Sequence, residues 1–300
     1  MNPARTHGPV FSSAGIRGAG HGCRAFVVTS RSMAKPPSCP GSPCSGFTLI
    51  ELLVVVTIVT LLIAILLPGL REARQQTKRT LCQANLRQIA VGWHCYLDEN
   101  RGVFLQGNNV RLNYGGRQGN GSPTWGADPA QPVSKPLNPH LSLPFVVRDG
   151  AEVFRCPSDQ GSAFVGPTHF EYYGTSYHTN VMLVGQDQVQ FNPFADPCKE
   201  MLAKVNERLP GIKRSRIGND GKLVLIGDHG WHDEWDRGIP CDQRVEWHHQ
   251  PHTHNVAFMD GHASFVRIHK GIHAGLDYVV VPFKNLATET IECQEEVECE

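Results

Sequence analysis

Three absences narrow the reading of this 300-residue chain. It has no net charge: 28 Lys and Arg balance 28 Asp and Glu, which argues against a nucleic-acid partner held by a basic patch. It has no C-x-x-C pair, which argues against a thiolate zinc cage, and no H-E-x-x-H helix. A nucleophile elbow, a phosphate loop, a dinucleotide fingerprint and internal repeats are missing too, so no catalytic residue is assigned. The neutral total hides one more absence. Residues 1–46 carry Arg5, Arg17, Arg24, Arg31 and Lys35 but no Asp or Glu. Without those five, 23 basic residues face 28 acidic ones, and the C-terminal stretch "TIECQEEVECE" holds no base at all.

What is present divides the chain. Residues 1–46, rich in Gly, Ser, Pro and Arg, read as a basic leader. Phe47–Leu67 is a run of 21 residues with one charge, Glu51; as a helix it spans about 31 Å, the thickness of a bilayer's hydrocarbon core. Pro68-Gly69 then predicts a helix break, because proline lacks a backbone donor and clashes with the preceding turn. Beyond it, Cys82, Leu86, Ile89, Trp93 and Tyr96/Leu97 step by four and three, so residues 68–100 read as an amphipathic continuation that stops near Gly102. Residues 101–288 read as an α+β head. "EVFRC" (152–156) and "KLVLIGD" (222–228) are strand candidates. "NVAFMDGHASFVRI" (255–268) is a hairpin turning at Asp260-Gly261, with Phe258 facing Ala263 and Val256 facing Phe265 if the loop has two residues. Residues 289–300 read as an acidic, flexible tail.

The long run poses its own question, because a carboxylate inside a membrane span is costly. No small-residue cleavage pattern follows Leu67, whereas Gly46 stands directly before the run. Cleavage between Gly46 and Phe47 would keep the span and create an α-amine at Phe47. That amine could pair with Glu51 of a neighbouring copy, offsetting part of the cost and setting register.

The stretch "GFTLIELLVVVTIVTLLIAILLPGL" resembles the N-terminus of type IV prepilins and type II secretion pseudopilins. The resemblance implies a prepilin peptidase that cuts after Gly46 and methylates Phe47, with Glu51 as the assembly glutamate. It also implies a pilin-like α+β fold in which a long N-terminal helix, partly transmembrane, packs on a small antiparallel sheet. Further implied are a single pass through the inner membrane with the C-terminal head in the periplasm or outside, and other pilin-like subunits as partners. Arg71, Arg74, Lys78 and Arg79 outnumber Arg31 and Lys35 beside the span, so a charge count alone gives the opposite orientation. The cleavage motif is preferred to that count. A 46-residue leader is longer than the family's usual one, and Met33 offers a start that shortens it. "FRCPSD", "TSYHTN" and "HNVAFMDGHASFV" further resemble a pseudopilin-like group named for a C-terminal motif of His, nine residues and Asp-Gly. Here the spacing departs: Gln250 stands where that motif has histidine.

The head's histidines leave two readings open. Asp228, His252, His254, Asp260 and His262 combine imidazole and carboxylate, which suits a divalent metal such as zinc. Calcium is the ion that secretion pseudopilins suggest, although no compact run of oxygen ligands stands out. The other reading makes Asp260-Gly261 a tight turn and the histidines polar loop residues. Cys156, before Pro157-Ser158, reads as structural, with Cys82 on the apolar stripe as its candidate disulfide partner. The functional expectation is a structural subunit of a pilus-like or pseudopilus assembly. The alternatives are a membrane-anchored metal-dependent hydrolase using the histidine-rich hairpin, or an envelope ligand-binding protein.

Overall fold

The four-and-three stepping of apolar residues is realised as one helix, α1 (Leu49–Glu99), in a computed structural model that describes residues 47–107, 110–121, 133–162, 165–184 and 196–298. The leader, residues 1–46, lies outside the described residues. Cys82, Leu86, Ile89, Ala90, Gly92, Trp93 and Leu97 are buried along one stripe, as the spacing predicts. Gly102, at φ +74°, closes the helix by donating its N–H to Leu97 O at 2.7 Å. The expected break at Pro68-Gly69 does not occur: helix runs through both residues. Proline deletes one donor from the ladder, and the flanking turns keep theirs, so one missing bond does not end a helix of this length.

Four antiparallel strands follow in the order β1 (Tyr177–Thr179), β2 (Val224–Asp228), β3 (Thr253–Phe258) and β4 (Ala263–Arg267). Short helices surround them: α2 (Val110–Asn113), α3 (His169–Tyr173), α4 (Lys199–Arg208), α5 (Gly230–Trp235) and α6 (Lys284–Cys293). The α+β, pilin-like architecture of a long helix and a small antiparallel sheet is thus the one the sequence implies. Trp93 anchors the core. It is fully buried, stacks on Tyr114 with 5.8 Å between ring centres, and packs against Phe104 and Tyr96. The sheet meets α1 at β4, where the Arg79 guanidinium lies 3.9 Å from the Phe265 ring centre and Arg87 donates to Ala263 O.

Three further expectations change. The hairpin pairs Ala257 with Ala263 and Val256 with Ser264, one residue away from the expected register. The loop holds Met259, Asp260 and Gly261. Gly261 N donates to Phe258 O, Phe258 N donates to His262 O, and Gly261 takes φ +93°. This is a type I turn closed by a left-handed glycine, which adds a residue to the two-residue loop assumed from Asp-Gly. The slip moves Phe258 from Ala263 to His262, whose ring it stacks on at 4.3 Å. The "EVFRC" segment is a 3₁₀ turn (Glu152–Phe154) rather than a strand. Phe154 and Cys156 are buried without a partner strand, and Phe154 O accepts from Ser176 N. The acidic C-terminal stretch is tied down. Helix α6 buries Thr290, Cys293 is disulfide-bonded to Cys198, Gln294 Oε1 accepts from His273 N and Ala274 N, and Val297 N donates to Lys270 O. Charge marks only the outer face of this segment.

Candidate functional site

The start of α1 is built by Thr-x-x-Glu. Thr48 N donates to Glu51 Oε2 at 2.8 Å, Thr48 Oγ1 donates to the same oxygen at 2.8 Å, and Glu51 N donates to Thr48 Oγ1 at 3.3 Å. This reciprocal arrangement is a capping box, in which two side chains satisfy donors that a helix start leaves without partners. Sequence reasoning gave Glu51 only a role between chains; the structure adds one within the chain. Both bonds it accepts use Oε2.

From Phe47 to Leu67 every residue is exposed, with Leu49 at 81% and Leu61 at 63%. Among the described residues one helix is long and apolar enough to cross a membrane, and its apolar window is wholly unburied. Gly46, the expected cleavage residue, lies outside the described residues, while Phe47 stands exposed just ahead of the cap.

The head gathers its chemistry at the end of β2 opposite the hairpin tip. Asp228 Oδ1 lies 2.9 Å from His254 Nδ1, and its Oδ2 lies 3.2 Å from His248 Nε2 and accepts Asn255 N. Glu234, on α5, lies 3.1 Å from His252 Nδ1 and 3.6 Å from His254 Nε2; the second is an ion-pair distance too long for a hydrogen bond. Burial opposes charge on Asp228, Glu234, His248 and His254, yet the flanking imidazoles of His254 and His248 hold the Asp228 carboxyl below the usual carboxylate range. Conversely, and also against burial, Asp228 and Glu234 raise His254 to about 9, and Asp228 and Cys156 raise His248 to about 10. The arrangement is a buried, hydrogen-bonded ion network, which is costly to break by removing one member.

The five expected metal ligands therefore divide. Asp228, His252 and His254 fall in this network. Asp260 and His262 sit at the hairpin tip, half exposed and 2.6 Å apart, with Asp260 Oδ1 also accepting His262 N. Asp260 lies two residues beyond the end of β3, with four steps of strand, about 13 Å, between His254 and Phe258. The alternation that puts His252 and His254 near Glu234 carries the Asp-Gly turn away from them. Glu234 and His248 are not among the expected ligands, although "GDHGWHDEWD" and "WHHQPHTH" display them.

The cysteines are also rearranged. Cys82 and Cys156 are buried free thiols, so the expected bridge between them is not formed, and Cys95 is free and exposed. Burial pushes the Cys156 thiol well above its ordinary value. A second group brings together His169 of α3, His178 of β1, and His229 and His232 at the start of α5, with 3.8 Å between the His169 and His229 ring centres and 4.3 Å between those of His178 and His232. Burial lowers His169 and His232 to about 4 and the other two further, so this group is neutral at pH 7.

The blocks "FRCPSD" and "TSYHTN" act as connectors. Asp159, from "FRCPSD", accepts Gly161 N, His169 N, Phe170 N and Ser176 Oγ. Asn180, from "TSYHTN", donates to Val224 O and Val280 O and accepts Met182 N.

Residues 41–67 match the family described as "Prokaryotic N-terminal methylation motif". No curated protein and no solved structure matches the chain. The match supports a prepilin-type N-terminus, with the membrane anchoring and peptidase processing that such a segment implies.

Proposed function

We propose that the chain is made as a prepilin, cut between Gly46 and Phe47, methylated at Phe47, and used as a structural, non-catalytic subunit of a type IV pilus-like or type II secretion pseudopilus assembly. The single observation that carries this reading is the methylation motif over 41–67, which runs into an apolar helix exposed on every side. An uncovered aliphatic surface of this size is not stable in water, since burying each Leu, Ile or Val there gains about 1.5–3 kcal/mol. The inner membrane covers it before assembly, and the same segments of neighbouring subunits cover it afterwards. The head then lies on the periplasmic or exterior side, and the Asp260-Gly261 hairpin serves as a structural turn. The hydrolase alternative draws no support from the hairpin, whose expected ligands lie apart.

The capping box sharpens the role of Glu51. Its Oε2 takes both intrachain bonds, leaving Oε1 to accept the Phe47 ammonium of an adjacent subunit. Glu51→Gln keeps the cap acceptor and removes the charge. In envelope crosslinking, the variant should insert in the membrane at wild-type level but lose most crosslinked oligomer. Unchanged oligomer would count against an assembly role for Glu51.

A further inference from the structure

We infer that Cys82, Cys156 and His248 form a buried site for a thiophilic transition ion of the zinc class, fastening α1 to the loop after residue 154 and to the turn ahead of β3. Their ligand atoms all lie within 4.8 Å of one another, and Cys156 Sγ is 3.7 Å from His248 Nε2. Around a tetrahedral zinc ion, with bonds of about 2.3 Å to sulfur and 2.0–2.1 Å to nitrogen, sulfur and nitrogen ligands stand about 3.5 Å apart. The observed spacing is within a few tenths of an ångström of a ligand shell's, and it is held as a hydrogen bond between sulfur and nitrogen.

All three side chains are withdrawn from solvent, Cys82 and Cys156 almost completely. Binding would release three protons to solvent, one from each thiol and one from the His248 imidazolium, and form two sulfur–metal bonds and one nitrogen–metal bond, so a divalent ion with two thiolates and a neutral imidazole carries no net charge. Such a unit can be buried without a counter-ion. Soft sulfur donors exclude calcium and magnesium. Oxygen groups border the three ligands: Asp228 Oδ2 stands 3.2 Å from His248 Nε2, and Tyr177 lies beside Cys82. The neighbourhood is already fastened, since Asn85 of α1 donates to Arg155 O; the ion would take the place of the Asn255 amide, whose Nδ2 lies 2.7 Å from His248 Nε2. The ligands come from three distant segments, which is why no local Cys-x-x-Cys spacing announces them. The site does not depend on the assembly role.

The test uses the full-length protein, purified from membranes in detergent without chelator. Metal content is measured, and cysteines are alkylated before and after EDTA, with peptides mapped under non-reducing conditions. The expected result is about one zinc per chain, with Cys95 alkylated at once and Cys82 and Cys156 protected until zinc is removed. Cobalt in place of zinc should give a thiolate-to-metal charge-transfer band. His248→Gln should lower zinc affinity at least tenfold, whereas Cys95→Ser should leave it unchanged. A Cys82–Cys156 disulfide in the map would overturn the inference. So would free thiols that react equally with and without EDTA in a zinc-free protein. Both readouts are taken on the unmutated chain, so a variant that fails to fold leaves the result decisive.

Discussion

The two halves of α1 share a backbone and differ in everything that touches it. Leu49–Leu67 is apolar on all sides and exposed on all sides, whereas Cys82–Leu97 is apolar on one stripe and buries that stripe against the head. One half carries a pattern that suits a solvent of lipid or identical helices; the other carries a pattern that suits one protein surface. The contrast teaches that length and hydropathy locate the first half's environment, while only periodicity locates the second's.

The comparison breaks most sharply in the core. Trp93→Ala should destabilise the head by about 3–5 kcal/mol, read as a lowered midpoint in thermal unfolding followed by near-ultraviolet circular dichroism. Leu62→Ala, on the exposed half, should leave that midpoint within about 0.5 kcal/mol. Equal losses would show that the first half packs on the head.

Protons sharpen it next. His169 and His232 titrate near 4 when folded and near 6.5 when unfolded, because burial disfavours the imidazolium. Between those values the unfolded chain binds more protons, so stability present above pH 6.5 is lost as pH falls towards 4. Taken alone, the two groups should cost on the order of 3 kcal/mol between pH 6.5 and 5. Replacing His169 by Phe should remove about half of that slope in pH-dependent unfolding. The apolar half holds no histidine, so membrane retention should not change over the same range. A slope identical in the variant would show that His169 does not titrate with folding.

The smallest effect lies at the helix start. Thr48→Ala removes the cap, worth about 1 kcal/mol locally. Hydrogen exchange should speed up at the amides of Glu51 and Leu52 and stay unchanged in the head. Unaltered exchange at the helix start would mean the capping box contributes nothing there.

Much of this was legible from residues, and each miss has a physical cause. The stripe from Cys82 to Leu97 was readable because four-and-three stepping has no other regular explanation. β2 and the hairpin were readable from β-rich runs between turn residues. The register was not, because Asp-Gly serves both a two-residue loop and a type I turn closed by glycine. The fastened C-terminal segment was hidden by its acids, since Thr290 and Cys293 carry the burial while the glutamates face outward. Pro68 announced a break that an otherwise intact hydrogen-bond ladder does not make. The clustering of Asp228, Glu234, His248 and His254, and of His248 with the two thiols, joins segments far apart in the chain, and no linear spacing encodes it.

Mass spectrometry of the mature N-terminus from native envelopes tests the central claim most directly. The account expects a polypeptide that begins at Phe47 and carries one methyl group on its α-amine. A chain that retains residues 1–46, or one that begins beyond Leu67, would contradict it.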